Sequence, residues 1–223
     1  MSRAVVLLLS FVGGFWRRPP VLVSLALNLI PVACVWWLGW NALTLLVLYW
    51  VENVAIGVNN ALKLREIEKH EPPKAGEPFK LSGFFMLHYG LFTVVHGVFA
   101  FLVGGVIEKP DPGATFARFW DERVSFGLAV LAIFAVHGAE LVHWLTRGGW
   151  RETTGDRQMM QPYGRIFILH LTVLGGAFVL ATTKAPASYI LLLAVLKTVI
   201  DAWWSFMQSR PEFAGSVKLE MRS

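Results

Sequence analysis

Residues 42–62 read ALTLLVLYWVENVAIGVNNAL. Twenty-one residues carry a single charge, Glu52, and no proline. A helix needs about 20 apolar residues to cross a bilayer core, so this stretch predicts a membrane span with an ionisable group near its middle. The rest of the chain follows that lead. Five further runs are long and apolar enough: Val21 to Trp40, Phe84 to Val106, Val124 to Leu145, Tyr163 to Thr182 and Pro186 to Met207. The first contains Pro31, which predicts a kink. Its link to Ala42 is so short that the first two spans must form a tight hairpin.

Composition agrees. Of 223 residues, 55% are hydrophobic and only 16% are charged, against about 25% charged in an average soluble domain. The charges gather in polar connections, Lys63 to Ser82, Glu108 to Arg123 and Gly148 to Pro162. The fold class expected is all-α: a polytopic membrane bundle of six transmembrane helices, residues 21–207. An interfacial amino-terminal segment, residues 1–20, precedes it, because Ala4 to Phe15 is apolar but no small-x-small cleavage site follows. A cytoplasmic tail, residues 208–223, ends it. No internal repeat is evident. The single cysteine, Cys34, forms no internal disulfide.

Six spans put both termini on one side. That side receives fifteen of the twenty Lys and Arg residues and the other side four, Lys197 being within the sixth span. The positive-inside rule makes the rich side cytoplasmic. The expected location is therefore a cytoplasmic membrane with both termini inside. The net charge of +5 is explained by anionic lipid headgroups on that side, and no motif points to nucleic acid.

The intraspan polar residues need a reason, since each costs several kcal/mol unless paired or hydrated. They are Glu52, Asn53, Asn59 and Asn60 in the second span, His88 and His96 in the third, and His137, Glu140 and His143 in the fourth. His170 follows in the fifth, Lys197 and Asp201 in the sixth. At about 1.5 Å per residue, nearly all fall between the midplane and the cytoplasmic surface. Glu52, Ile56, Asn59 and Lys63 form one stripe, and Glu140 lies about 60° from both His137 and His143. Lys197 and Asp201, four apart, can pair.

Imidazole and carboxylate together are ligands for zinc, iron or copper. The expected ligands are His88, His137, His170 and Glu52. His96, Asp201, Lys197, Glu140, His143 and Asn53 are supporting groups or alternative ligands. A metal with an open position would activate water against a lipid-like substrate. Three other functions remain open. Histidine pairs such as His88 with His143, or His96 with His137, would hold a b-type haem for electron transfer. A carboxylate–histidine chain would carry protons or metal ions. An accessory subunit of a larger complex, or an oligomer, would need none of this chemistry. Each member also has a plain reading. A lone intraspan histidine is most often a hydrogen-bond partner between helices. Asn59, Asn60 and Lys63 are expected at headgroup level, capping or snorkelling. His143 suits interfacial water, and His70 in a polar loop has no expected role. Gly104-Gly105 and Gly175-Gly176 suit close helix packing.

Several stretches carry a resemblance. They are Tyr49-Trp50-Val51-Glu52-Asn53 with Gly57 and Asn59, His88-Tyr89-Gly90 with His96, Pro162-Tyr163-Gly164-Arg165-Ile166 with Leu169-His170-Leu171, and Leu196-Lys197-Thr198 with Asp201. Over roughly residues 42–205 the chain resembles a family of multi-pass prokaryotic membrane proteins of unknown function. The resemblance implies the topology and no activity. Glu140 and His143 are not part of its pattern.

Overall fold

The computed structural model describes residues 29–31, 33–71, 80–107, 113, 117, 120–164, 166, 195–199 and 202. The chain falls into two compact units, Cys34–Phe167 and Met1–Ala33 with Ile168–Ser223. In the second of these, the described residues are helical, and Lys197, Thr198 and Ala202 are buried. The interfacial segment, the carboxyl-terminal tail, the fifth span beyond Ile166 and most of the sixth lie outside the described residues, with His170 and Asp201.

The unit Cys34–Phe167 is built on three long helices: α1, Ala42–Glu68; α2, Leu81–Ile107; and α3, Arg123–Thr146. A 3-10 turn, Gly149–Arg151, and a short helix, α4, Gly155–Met160, follow. Among the described residues there is no strand. The three long helices are each long and apolar enough to cross a membrane, as expected for the second, third and fourth spans. A shorter apolar helix, Leu29–Leu38, lies in the first predicted span.

Helix α1 outruns its predicted end. The segment Lys63 to Glu68, expected in a polar loop, continues the helix. Its Lys, Leu, Arg and Glu are strong helix formers, and no breaker occurs before Pro72-Pro73. The polar stretch Gly148 to Pro162 likewise holds the 3-10 turn and α4 rather than a plain connection.

The hairpin before α1 turns where expected. Gly39 has φ 68°, a left-handed conformation that glycine adopts without steric cost. The Trp40 N–H then reaches back to the Cys34 carbonyl at 3.3 Å. Asn41 caps α1: its side-chain oxygen accepts from the Thr44 N–H at 2.8 Å. Glu122, just before α3, accepts from the Asn41 N–H at 3.2 Å and from the Thr44 hydroxyl. A carboxylate there also meets the positive end of the α1 dipole. Trp40 donates to Ser125 Oγ at 2.9 Å. The amino ends of α1 and α3 therefore adjoin, and these two helices run parallel.

Helix α2 runs antiparallel to α1. Its start is held by Glu68, the last residue of α1, which accepts from the Ser82 N–H at 2.6 Å and the Ser82 hydroxyl at 2.7 Å. Glu68→Ala is expected to cost about 1–2 kcal/mol, since charge-assisted caps are worth that much. Denaturant unfolding in micelles measures it. Along the seam, the Trp50 indole donates to the Thr93 carbonyl at 2.8 Å and the Tyr89 hydroxyl to the Asn53 carbonyl at 3.0 Å.

Helix α1 is the central one. In its membrane-length window 67% of the residues are buried, against 28% in α2 and 17% in α3. The outer faces of α2 and α3 carry Leu87, Leu91, Val94, Val98, Leu102, Leu128 and Leu131, all exposed. An apolar surface of this extent suits lipid rather than water.

Candidate functional site

The polar residues of α1 are buried, not displayed. Glu52, Asn53, Asn59, Asn60 and Lys63 are each less than a tenth exposed. Asn59 and Lys63, four residues apart, both turn to α3. The Asn59 amide donates to the His137 carbonyl at 2.8 Å. Lys63 Nζ meets Glu140 Oε1 at 2.8 Å and lies 5.7 Å from the centre of the Trp144 ring. The expected snorkelling of Lys63 is thus not what the fold does. A partner one helix away draws the ammonium inward, leaving its side chain 8% exposed, while that of Glu140 is 56% exposed.

Glu140 has a second neighbour. Its Oε2 lies 3.6 Å from His137 Nδ1, just beyond hydrogen-bond length. A carboxylate at that position favours the tautomer with the proton on Nδ1, leaving the Nε2 lone pair as an acceptor. His137 is buried, and its Nε2 has no hydrogen-bond partner. Asn59 Oδ1 and Asn60 Nδ2 are also buried without one. Three such atoms, two on α1 and one on α3, are notable, because buried polar groups are nearly always satisfied.

Beside this cluster, Asn60 Oδ1 accepts from Gln158 Nε2 at 2.6 Å, which also bonds Gln161 Oε1 at 2.6 Å. Gln158, on α4, was invisible to sequence reasoning: 98 residues separate it from Asn60. Trp144 and Gly149 are a second unforeseen pair, the indole lying so close that a Cβ on Gly149 would sit 2.3 Å from its Nε1. His70, given no role, stacks on Trp150 with ring centres 3.6 Å apart, and Arg151 lies 4.5 Å from that same ring. Glu71 accepts from the Gly155 N–H at 3.3 Å. The end of α1 thereby ties the loops together. The only local signals were an aromatic residue and a histidine in segments too short and polar to reveal their partners.

The remaining expected site residues are scattered. His88, exposed on α2, places Nδ1 2.7 Å from the Tyr163 hydroxyl and stacks against Phe84. His96 is buried with Nδ1 3.1 Å from the Phe92 carbonyl. His143 is exposed. Glu52 is buried on α1 near mid-length, and the Asn53 carbonyl receives Tyr89. Lys197 belongs to the other unit. Among the described residues, no three His, Cys, Asp or Glu side chains come close enough to hold a metal ion. Glu140-x-x-His143, which has di-iron spacing, does not act as a pair here: Glu140 turns instead to Lys63 and His137.

A helical bundle with lipid-suited outer faces and a buried amide, lysine and histidine cluster at one end defines a class of polytopic membrane protein. Within that class, the chain belongs to the family of unknown function DUF6498, whose model matches residues 13–216. No curated protein and no solved structure matches it.

Proposed function

We propose that the chain is a six-span protein of a prokaryotic cytoplasmic membrane, both termini inside, and that it binds a small polar ligand in the cytoplasmic half of the bundle. The site is built on Asn59, Lys63, His137 and Glu140. The observation that carries this reading is the His137 ring, with Nδ1 toward a carboxylate and a buried Nε2 bonded to nothing. That arrangement orients a histidine whose other nitrogen is used by something else. The orientation of the bundle rests on Lys63, Arg65, Lys69, Lys80, Arg147, Arg151 and Arg157 gathering at one end, against Arg123 at the other, among the described residues.

A second reading follows from the same ring. Nε2 is the atom a transition metal such as zinc, iron or copper would take, with Glu140 in the supporting position. Catalysis on a lipid-like substrate would follow from such a metal. The other named donors, His170 and Asp201, lie outside the described residues. Cobalt(II) titration of the purified chain tests the metal reading: a visible ligand-field band is expected, lost in His137→Ala and weakened about 10–100-fold in affinity in Glu140→Gln. No band in the parent protein removes the metal. Unchanged thermal response of His137→Ala to every polar ligand that shifts the parent removes the site itself.

A further inference from the structure

We propose that Lys63 is an oxyanion seat that Glu140 occupies as an internal stand-in, and that the external occupant is a phosphate monoester or hydrogen phosphate. The inference rests on the polar-site reading and names its ligand class. The two ends of the ion pair differ in a telling way: the Lys63 side chain is 8% exposed and that of Glu140 is 56% exposed. A buried ammonium is costly to leave without an anion beside it. A carboxylate already more than half in water loses little by leaving. An incoming oxyanion that takes the place of Glu140 keeps the ammonium paired.

The atoms left unbonded narrow the class. Asn59 holds the His137 carbonyl with its nitrogen, so its orphaned atom is the acceptor Oδ1. A carboxylate or sulfate offers Lys63 an anion but nothing to this acceptor. A phosphate retaining one P–O–H offers both an anionic oxygen for Nζ and a donor for Asn59 Oδ1. The cluster lies near the end of α1, where the phosphate of a lipid headgroup and a free phosphate both have access.

The test uses the full chain in neutral detergent. Thermal unfolding is followed against inorganic phosphate, with sulfate at matched ionic strength as the control. Native mass spectrometry counts bound phosphatidic acid, a monoester lipid, against phosphatidylglycerol, a diester. Glu140→Gln removes the competing carboxylate and is expected to bind about tenfold more tightly than the parent. Glu140→Asp, which draws the carboxylate back by one methylene, moves the same way and serves if the glutamine variant folds poorly. Lys63→Met is expected to lose the binding. Gain with phosphatidic acid alone makes the source a lipid headgroup, and gain with inorganic phosphate makes it a free ion. Equal affinity of parent and both Glu140 variants for each probe overturns the proposal, as does undiminished binding by Lys63→Met or equal binding of sulfate. If it falls while His137→Ala still alters the cobalt band or the response to other polar ligands, the site stands and only its ligand class was wrong.

Discussion

Gly104→Val is expected to be the most damaging single substitution on the bundle's surface of contact, costing about 3 kcal/mol or more. A Cβ at Gly104 would lie 2.7 Å from Leu43 Cα, and 2.9 and 3.1 Å from side-chain atoms of Leu43. The first of these is backbone, so no rotamer relieves it, and α1 and α2 must move apart. Separation also stretches the Trp50–Thr93 and Tyr89–Asn53 hydrogen bonds that tie the same two helices. Two other glycines line this seam. A Cβ on Gly57 would sit 2.3 Å from the Tyr89 ring, and one on Gly97 2.8 Å from the Trp50 indole. Those contacts are with side chains, so alanine there should cost less, about 1–2 kcal/mol, chiefly by displacing rings held by hydrogen bonds. Denaturant unfolding of the three variants in mixed micelles ranks them; a Gly104→Val protein as stable as the parent would show that the seam is not this tight.

The second large effect is an asymmetry. Glu140→Ala should destabilise the protein by roughly 2–3 kcal/mol, while Lys63→Met should cost less than about 1 kcal/mol. Removing the glutamate strands an ammonium whose side chain is 8% exposed. Removing the lysine leaves an apolar chain of similar length in an enclosed place and frees a carboxylate that water already reaches. The figure for Glu140→Ala is set below the 3–5 kcal/mol typical of a fully buried pair, because solvent screens the exposed partner. The double variant should fall close to Lys63→Met alone, since with no buried cation the glutamate keeps only its 3.6 Å approach to His137. Equal losses in both single variants would mean that the pair is effectively solvated at both ends.

How much of this was legible in advance differs by level. The helices were written in length and hydropathy: an apolar run with few charges has no option in a bilayer but to bond its backbone internally. Hence α1, α2 and α3 coincide with the second, third and fourth predicted spans within a few residues, except where α1 continues past Lys63 as a helix that no longer needs to be apolar. Glycine packing at Gly104 was expected and is observed, because small residues in a span have few other uses. The depth of Asn59, Lys63, His137 and Glu140 along their own helices was likewise readable.

Which polar residues meet was not readable. Depth and helical angle place a side chain on its own helix but leave open which neighbour that face meets. His88 and His137 look alike in the sequence, yet His88, exposed on α2, meets Tyr163, and His137, buried on α3, faces the Glu140 carboxylate. Lys63 looked like a snorkelling end-of-span lysine until α3 supplied Glu140. The amino-acid sequence by itself determined that the chain has membrane-length helices and that ionisable groups lie within them. Only the tertiary structure decided that Asn59, Lys63, His137 and Glu140 form one cluster, because electrostatic pairing acts over a few ångströms across helices that lie some 80 residues apart along the chain.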